Sequence, residues 1–163
     1  MLNVLSRFRA MRQEKADRLA QKQLDESLAA FVVPQNPYVL ILFFSHTARL
    51  LQVNLECTGV ETRMVQTNSE ALAKMRIIKP QVLITALIPY RADGLDLLAA
   101  VRGDPELAGI SVVMLRSKEQ DKTSPDVEKE GKTVYFSVPC PPQEFVAVVR
   151  DLMDGVERVF AKS

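Results

Sequence analysis

The single histidine of the chain, His46, stands between two hydroxyls in Ser45-His46-Thr47. A hydroxyl beside an imidazole is the raw material of a nucleophile and its base. Catalysis also needs an acid to orient the imidazole and donors for an oxyanion. The sequence marks neither, so Ser45 or Thr47 reads as the cap of a helix, with His46 on its exposed first turn. Cys140 lies in Val-Pro-Cys-Pro-Pro. With no flanking basic residue to lower its pKa, it reads as a small apolar side chain under a stiff turn. Cys57 is the other cysteine, and two cysteines make no disulfide framework and suit a reducing compartment. No Cys/His spacing fits zinc, and six singly scattered glycines make no phosphate loop. These residues predict no metal, no cofactor and no enzyme.

The elements that must position them follow from pattern. The chain has 163 residues, 47% of them apolar and 25% charged, with a net charge of +1. That is one ordinary globular domain with an appendage, carrying no global field for nucleic acid or an anionic membrane. The longest apolar run, Tyr38–Phe44, falls short of a membrane span. The first residues are charged at short intervals and lack a signal core; the expectation is a cytoplasmic protein. Residues 1–32 contain neither Gly nor Pro and read as helix, ended by Pro34 and Pro37.

Beyond Tyr38, strand-length apolar runs (Val39–Phe44, Val60–Val65, Val82–Ala86, Val112–Leu115, Val134–Val138) alternate with helical patterns. Among the helical positions are Leu50, Leu51 and Leu55, then Leu95, Leu98 and Val101. Several runs are apolar throughout, as in strands covered on both faces. The order is (βα)5, an α/β domain with a parallel sheet. One unit breaks it: Arg116–Lys132 is dense in charge and reads as a solvated loop with at most a helical turn around Asp126–Glu130. The predicted division is 1–36, a helical extension and linker, and 37–163, a domain with a shortened fourth helix and a long C-terminal helix.

Pro80–Leu115, PQVLITALIPYRADGLDLLAAVRGDPELAGISVVML, resembles the receiver domain of bacterial two-component response regulators. Val39–Leu51 is similar to that family's first strand and helix, and Val134–Phe145 to its fifth strand and turn. The resemblance covers roughly 120 residues and implies a flavodoxin-like, doubly wound sheet of order 2-1-3-4-5 with its site at the carboxyl ends of the strands. It also implies where phosphoryl chemistry would sit. The phospho-acceptor position falls on Thr85, or on Ala86 if the long loop shifts it by one. The acidic pair that holds Mg²⁺ falls on Phe43 and Phe44, the hydroxyl after strand four on Arg116, and the lysine on Val138. None carries the required group. Asp93 matches the Asp-Gly turn and reads as a helix cap. The implied protein is a degenerate pseudo-receiver. One reading has Phe43 and Phe44 filling the vacated pocket beside Arg116; a rival reading keeps that pocket open for a small ligand.

Function is then expected on surfaces. The C-terminal helix, predicted over Gln143–Ala161, carries apolar residues beyond one core-facing stripe, and Val146, Met153 and Phe160 recur by sevens as a seam that wants a cover. In residues 1–32, Leu5, Phe8, Met11, Ala16 and Leu19 share one face, while Leu24, Leu28 and Phe31 share another, so the helix bends near Gln21–Gln23 or meets two surfaces. A continuous coiled coil fails because its heptad places Arg12, Lys15 and Lys22 at core positions. Residues 1–22 hold six basic against two acidic side chains, which permits a membrane-surface helix; Glu14 and Asp17 favour protein contact instead. The expected partners are proteins, including a second copy of the chain through Leu5, Phe8 and Leu19 or through the C-terminal seam.

Overall fold

The computed structural model describes residues 2–31, 34, 37–42, 46–87, 93–118 and 127–155. The chain divides into two compact units, residues 1–32 and 33–163.

The first unit is one helix, α1 (Leu2–Ala29). Its sequence is built from strong helix formers, and hydrogen bonds between side chains four apart brace it: Gln13 to Asp17 at 2.9 Å, Arg18 to Glu14 at 3.0 Å and Gln21 to Asp25 at 2.9 Å. The helix runs without interruption through Gln21–Gln23.

The second unit contains β1 (Tyr38–Leu42), α2 (His46–Cys57), β2 (Glu61–Val65), α3 (Asn68–Ile77), β3 (Val82–Ala86), α4 (Asp93–Gly103), β4 (Ser111–Ser117), β5 (Val127–Glu130), β6 (Thr133–Val138) and α5 (Pro142–Asp154). The sheet order is β2-β1-β3-β4-β6-β5. Its first five members are parallel in the expected doubly wound order. Strand residues alternate between two cores. Val39, Ile41, Val82, Ile84, Val113 and Leu115 meet α2 and α5, whereas Leu40, Leu83 and Val112 meet α3 and α4. In the first core Phe136 and Phe145 pack edge to face at 5.6 Å.

Three expectations are corrected. The segment around Asp126–Glu130 supplies no helical turn over its described part: β5 forms a sixth strand, antiparallel to β6. Gly131 and Lys132 make the two-residue turn, with Gly131 at φ 59°, the position where such a hairpin requires glycine. An edge strand pairs on one side only and tolerates the charges of Glu128, Lys129 and Glu130. Secondly, α5 ends at Gly155, whose left-handed φ of 71° caps the last carbonyls. Val146 is buried in the α2–α5 core and Met153 packs on it, because α2 lies alongside α5 and takes up the surplus edge. Of the predicted seam, Val146 is taken up inside the domain and Met153 is half-buried against it, while Phe160 lies outside the described residues. Thirdly, Leu50 and Leu95 are exposed rather than core-facing; Leu51, Leu55, Leu97 and Val101 fill those places.

Two polar anchors hold the amino-terminal end of the sheet. Arg102 on α4 donates to the carbonyls of Ala108 and Ile110, at 2.8 and 2.7 Å, and to Thr133 Oγ1 at 2.8 Å. It thereby ties α4, the connector and β6 together, and burial lowers its pKa. Tyr38, 1% exposed, donates its hydroxyl to the Ile78 carbonyl at 2.7 Å, and burial raises its pKa to about 12.

Arg102→Ala strands two carbonyls and a hydroxyl and is expected to cost about 2–3 kcal/mol, read as a lower urea midpoint of unfolding. For Tyr38, the folded state holds the phenolic proton more tightly than the unfolded state. Its contribution is complete below pH 10 and is lost as pH rises from 10 toward 12. Wild type should therefore lose more stability over that window than Tyr38→Phe, measured by thermal melts; equal losses would assign Tyr38 an ordinary phenol.

Candidate functional site

The carboxyl ends of β1, β3, β4 and β6 form one rim, as the parallel order requires. At β3, Thr85 pairs with Met114 and Ala86 with Leu115. The two side chains point to opposite faces. Ala86 joins the α2–α5 core; Thr85 shares the other face with Leu83. Thr85 is 0% exposed, and its Oγ1 has no hydrogen-bond partner among the described residues. Above it the start of α4 presses directly on the strand: a Cβ added to Gly94 would overlap the Ala86 carbonyl oxygen and stand 3.2 Å from Met114 Sδ.

At β4, Arg116 turns toward β6 and β5. Register puts it opposite Ser137, with Glu128 opposite Tyr135. Its Nε donates to Ser137 Oγ at 3.3 Å, its guanidinium pairs with Glu128 at 3.1 Å, and the Tyr135 ring lies 5.7 Å from Cζ. Arg116 thus fastens the added hairpin to the sheet. The predicted companions Phe43 and Phe44 lie outside the described residues, as do Ser45 and the side chain of Asp93. At β6, Val138 is half-buried against the α2–α5 core and precedes Pro139 through a cis peptide bond.

The other sequence candidates stand away from chemistry. His46 is the exposed first residue of α2, Cys57 is exposed, and Cys140 packs on the core. Burial pushes the Cys140 thiol up and Glu144 adds to the push, while Lys118 pulls it down; the net shift disfavours the thiolate. Among the described residues no three His, Cys, Asp or Glu side chains are placed to hold a metal ion. Of the positions the resemblance singles out, those described carry the buried Thr85 hydroxyl, the engaged Arg116 guanidinium and the Val138 isopropyl group.

Two features escaped the sequence. Arg102 is one, and its signal was faint: a helix-terminal Arg ahead of a polar connector. The other is a cavity of about 400 Å³ at the opposite end of the sheet, lined by Thr58, Glu61, Gln81, Arg150, Met153 and Asp154. It assembles residues from both ends of the domain, which no local pattern reveals.

No family model matches the chain. A putative response regulator from Chloroflexus aurantiacus is similar in structure, with a TM-score of 0.59 and 25% identity, covering 73% of this chain and 99% of that one. The fold is that of the response-regulator receiver superfamily. A receiver domain of a signal transduction histidine kinase from Syntrophus aciditrophicus is also similar, with a TM-score of 0.58 and 22% identity over 78% of this chain and 98% of that one. Among curated proteins, the "DNA-binding response regulator MtrA" of Mycolicibacterium smegmatis is 28% identical over 103 residues, 63% of this chain and 44% of the relative. The chain therefore spans less than half the length of the curated relatives it matches. Among the described residues no helix is long and apolar enough to cross a membrane.

In this receiver fold an unpartnered buried hydroxyl is a net cost. Thr85→Val keeps the shape and removes it, and is expected to stabilise by about 1 kcal/mol, raising Tm by about 3 °C. A lower Tm would show that Oγ1 is engaged.

Proposed function

We propose that the chain is a degenerate pseudo-receiver, a non-catalytic module that works through protein–protein contact independently of phosphorylation, in a bacterial cytoplasmic signalling pathway. The observation that carries this reading is the burial of Thr85. Phosphoryl transfer to a receiver needs a solvent-accessible carboxylate, a divalent cation on further carboxylates and a cationic side chain to neutralise the arriving charge. The acceptor position holds a 0%-exposed alcohol. The lysine position holds Val138, and the hydroxyl position holds an arginine already paired with Glu128.

The proposed means is assembly with a protein partner rather than with nucleic acid or a membrane. A homodimer through α5 has lost its support with the burial of Val146 and the packing of Met153. The surface that remains is α1, where Leu5, Phe8 and Leu19 are 63, 58 and 57% exposed. The second reading, a sensor of a small ligand at the vacated acceptor position, is favoured by one observation: the Thr85 hydroxyl waiting without a partner.

Incubation with acetyl phosphate and Mg²⁺ is expected to leave the intact mass unchanged, and Thr85→Asp to remain unmodified, since the metal ligands and the ammonium are still missing. Gain of one phosphoryl mass by the wild type would overturn the proposal. A metabolite that raises the Tm of wild type but not of Thr85→Val would transfer the reading to the sensor.

A further inference from the structure

Over Val4–Lys22 of α1, the large apolar side chains and the basic ones lie on the same side of the helix. At about 100° per residue, Val4, Leu5, Phe8, Met11 and Leu19 centre on one meridian. Arg12, Lys15 and Lys22 fall within about 45° of it, and Arg7, Arg9 and Arg18 within about 105°. Asp17 is diametrically opposite and Glu14 beyond the flank. All these side chains except Lys22's are spaced within Val4–Leu19, all are exposed, and Phe8, Met11, Arg12 and Lys15 border one groove together with the Arg18–Glu14 pair, whose carboxylate is engaged by Arg18 at 3.0 Å. The face closes at Lys22, which meets Glu26 at 4.0 Å.

Three occupants compete for such a face. A second α1 laid against it symmetrically would set Arg12, Lys15 and Lys22 against like charges, so self-pairing is opposed. A lipid surface takes a continuous apolar stripe with cations at its margins, whereas here Arg12, Lys15 and Lys22 interrupt the stripe along its centre. A helix that alternates apolar residues with carboxylates at heptad spacing satisfies both sets of side chains at once. We infer that the Val4–Lys22 face of α1 docks an acidic amphipathic helix of a partner protein, with apolar residues against Leu5, Phe8 and Leu19 and carboxylates against Arg12, Lys15 and Lys22. The inference deepens the protein-contact reading and rests on it, but not on the silence of the rim, which the acetyl phosphate experiment tests separately.

The test uses the full chain and a fluorescent synthetic helix with Leu and Glu at those positions, read by anisotropy, beside the same peptide with Gln for Glu. The Glu peptide should bind at least tenfold more tightly than the Gln peptide and weaken with salt. Arg12→Gln/Lys15→Gln should lose tenfold or more, while Arg7→Gln/Arg9→Gln, which removes the same charge from the flanks, should lose less than threefold. Both pairs are exposed on a solvated helix, and circular dichroism checks that it persists. Equal binding of the two peptides, equal losses in the two variants, or no binding would overturn the inference. So would tighter association with vesicles of phosphatidylcholine and phosphatidylglycerol, or self-association of the chain abolished by Arg12→Gln/Lys15→Gln.

Discussion

The central strands are apolar on both faces, and the domain is organised by the need to cover them. Each residue of Tyr38–Leu42 and Val82–Ala86 is buried, so neither face can meet water, and a parallel sheet is the arrangement that supplies helices to both. Helices α2 and α5 take one face and α3 and α4 the other. Parallel strands also end together, which gathers the carboxyl ends of β1, β3, β4 and β6 into one rim whatever side chains they carry. The position of the rim is a packing consequence; its chemistry is a separate matter of charge.

On that second matter the described rim holds one guanidinium engaged in local contacts. Arg116 brings a cation to the rim and spends it sideways, on Glu128, Ser137 and the face of Tyr135. Glu128 is within reach because β5 has come alongside β6. On β6, Thr133, Tyr135 and Ser137 face one way while Val134 and Phe136 face the α2–α5 core. With β5 alongside it at this edge, β6 finds partners for its polar side in Arg102 and Arg116.

Much of this was legible in the sequence, and the misses share a cause. Strand positions followed from apolar period and punctuation, which are local, whereas the order 2-1-3-4-5 came only with the resemblance to receivers. The β5 hairpin was missed because charge density over Arg116–Lys132 was weighed above two quieter signals. These were the Gly131-Lys132 turn and the strict alternation of Thr-Val-Tyr-Phe-Ser-Val, which marks a strand with one polar face. Counting apolar positions on α5 found a stripe too wide for the sheet alone but could not see that α2 would flank it and absorb Val146. At the rim, Thr85 and Val138 lie at the ends of β3 and β6, yet no spacing could foretell that the guanidinium of Arg116 would bend toward a strand not anticipated.

The Asp93-Gly94 turn explains how the receiver fold can be read from a sequence independently of any reaction at the rim. A Cβ at Gly94 would collide with the carbonyl of Ala86, so glycine is demanded there by the contact between the start of α4 and the end of β3. That demand comes from backbone against backbone and is indifferent to whether a phosphoryl group is ever received. The same holds for the apolar strands and for the Asp104 turn, whose carboxylate accepts from the Glu106 amide at 2.9 Å. The resemblance to receivers is carried by residues that make the scaffold close. Fold and reaction are written in different residues, and the proposed silence of the rim concerns only the second.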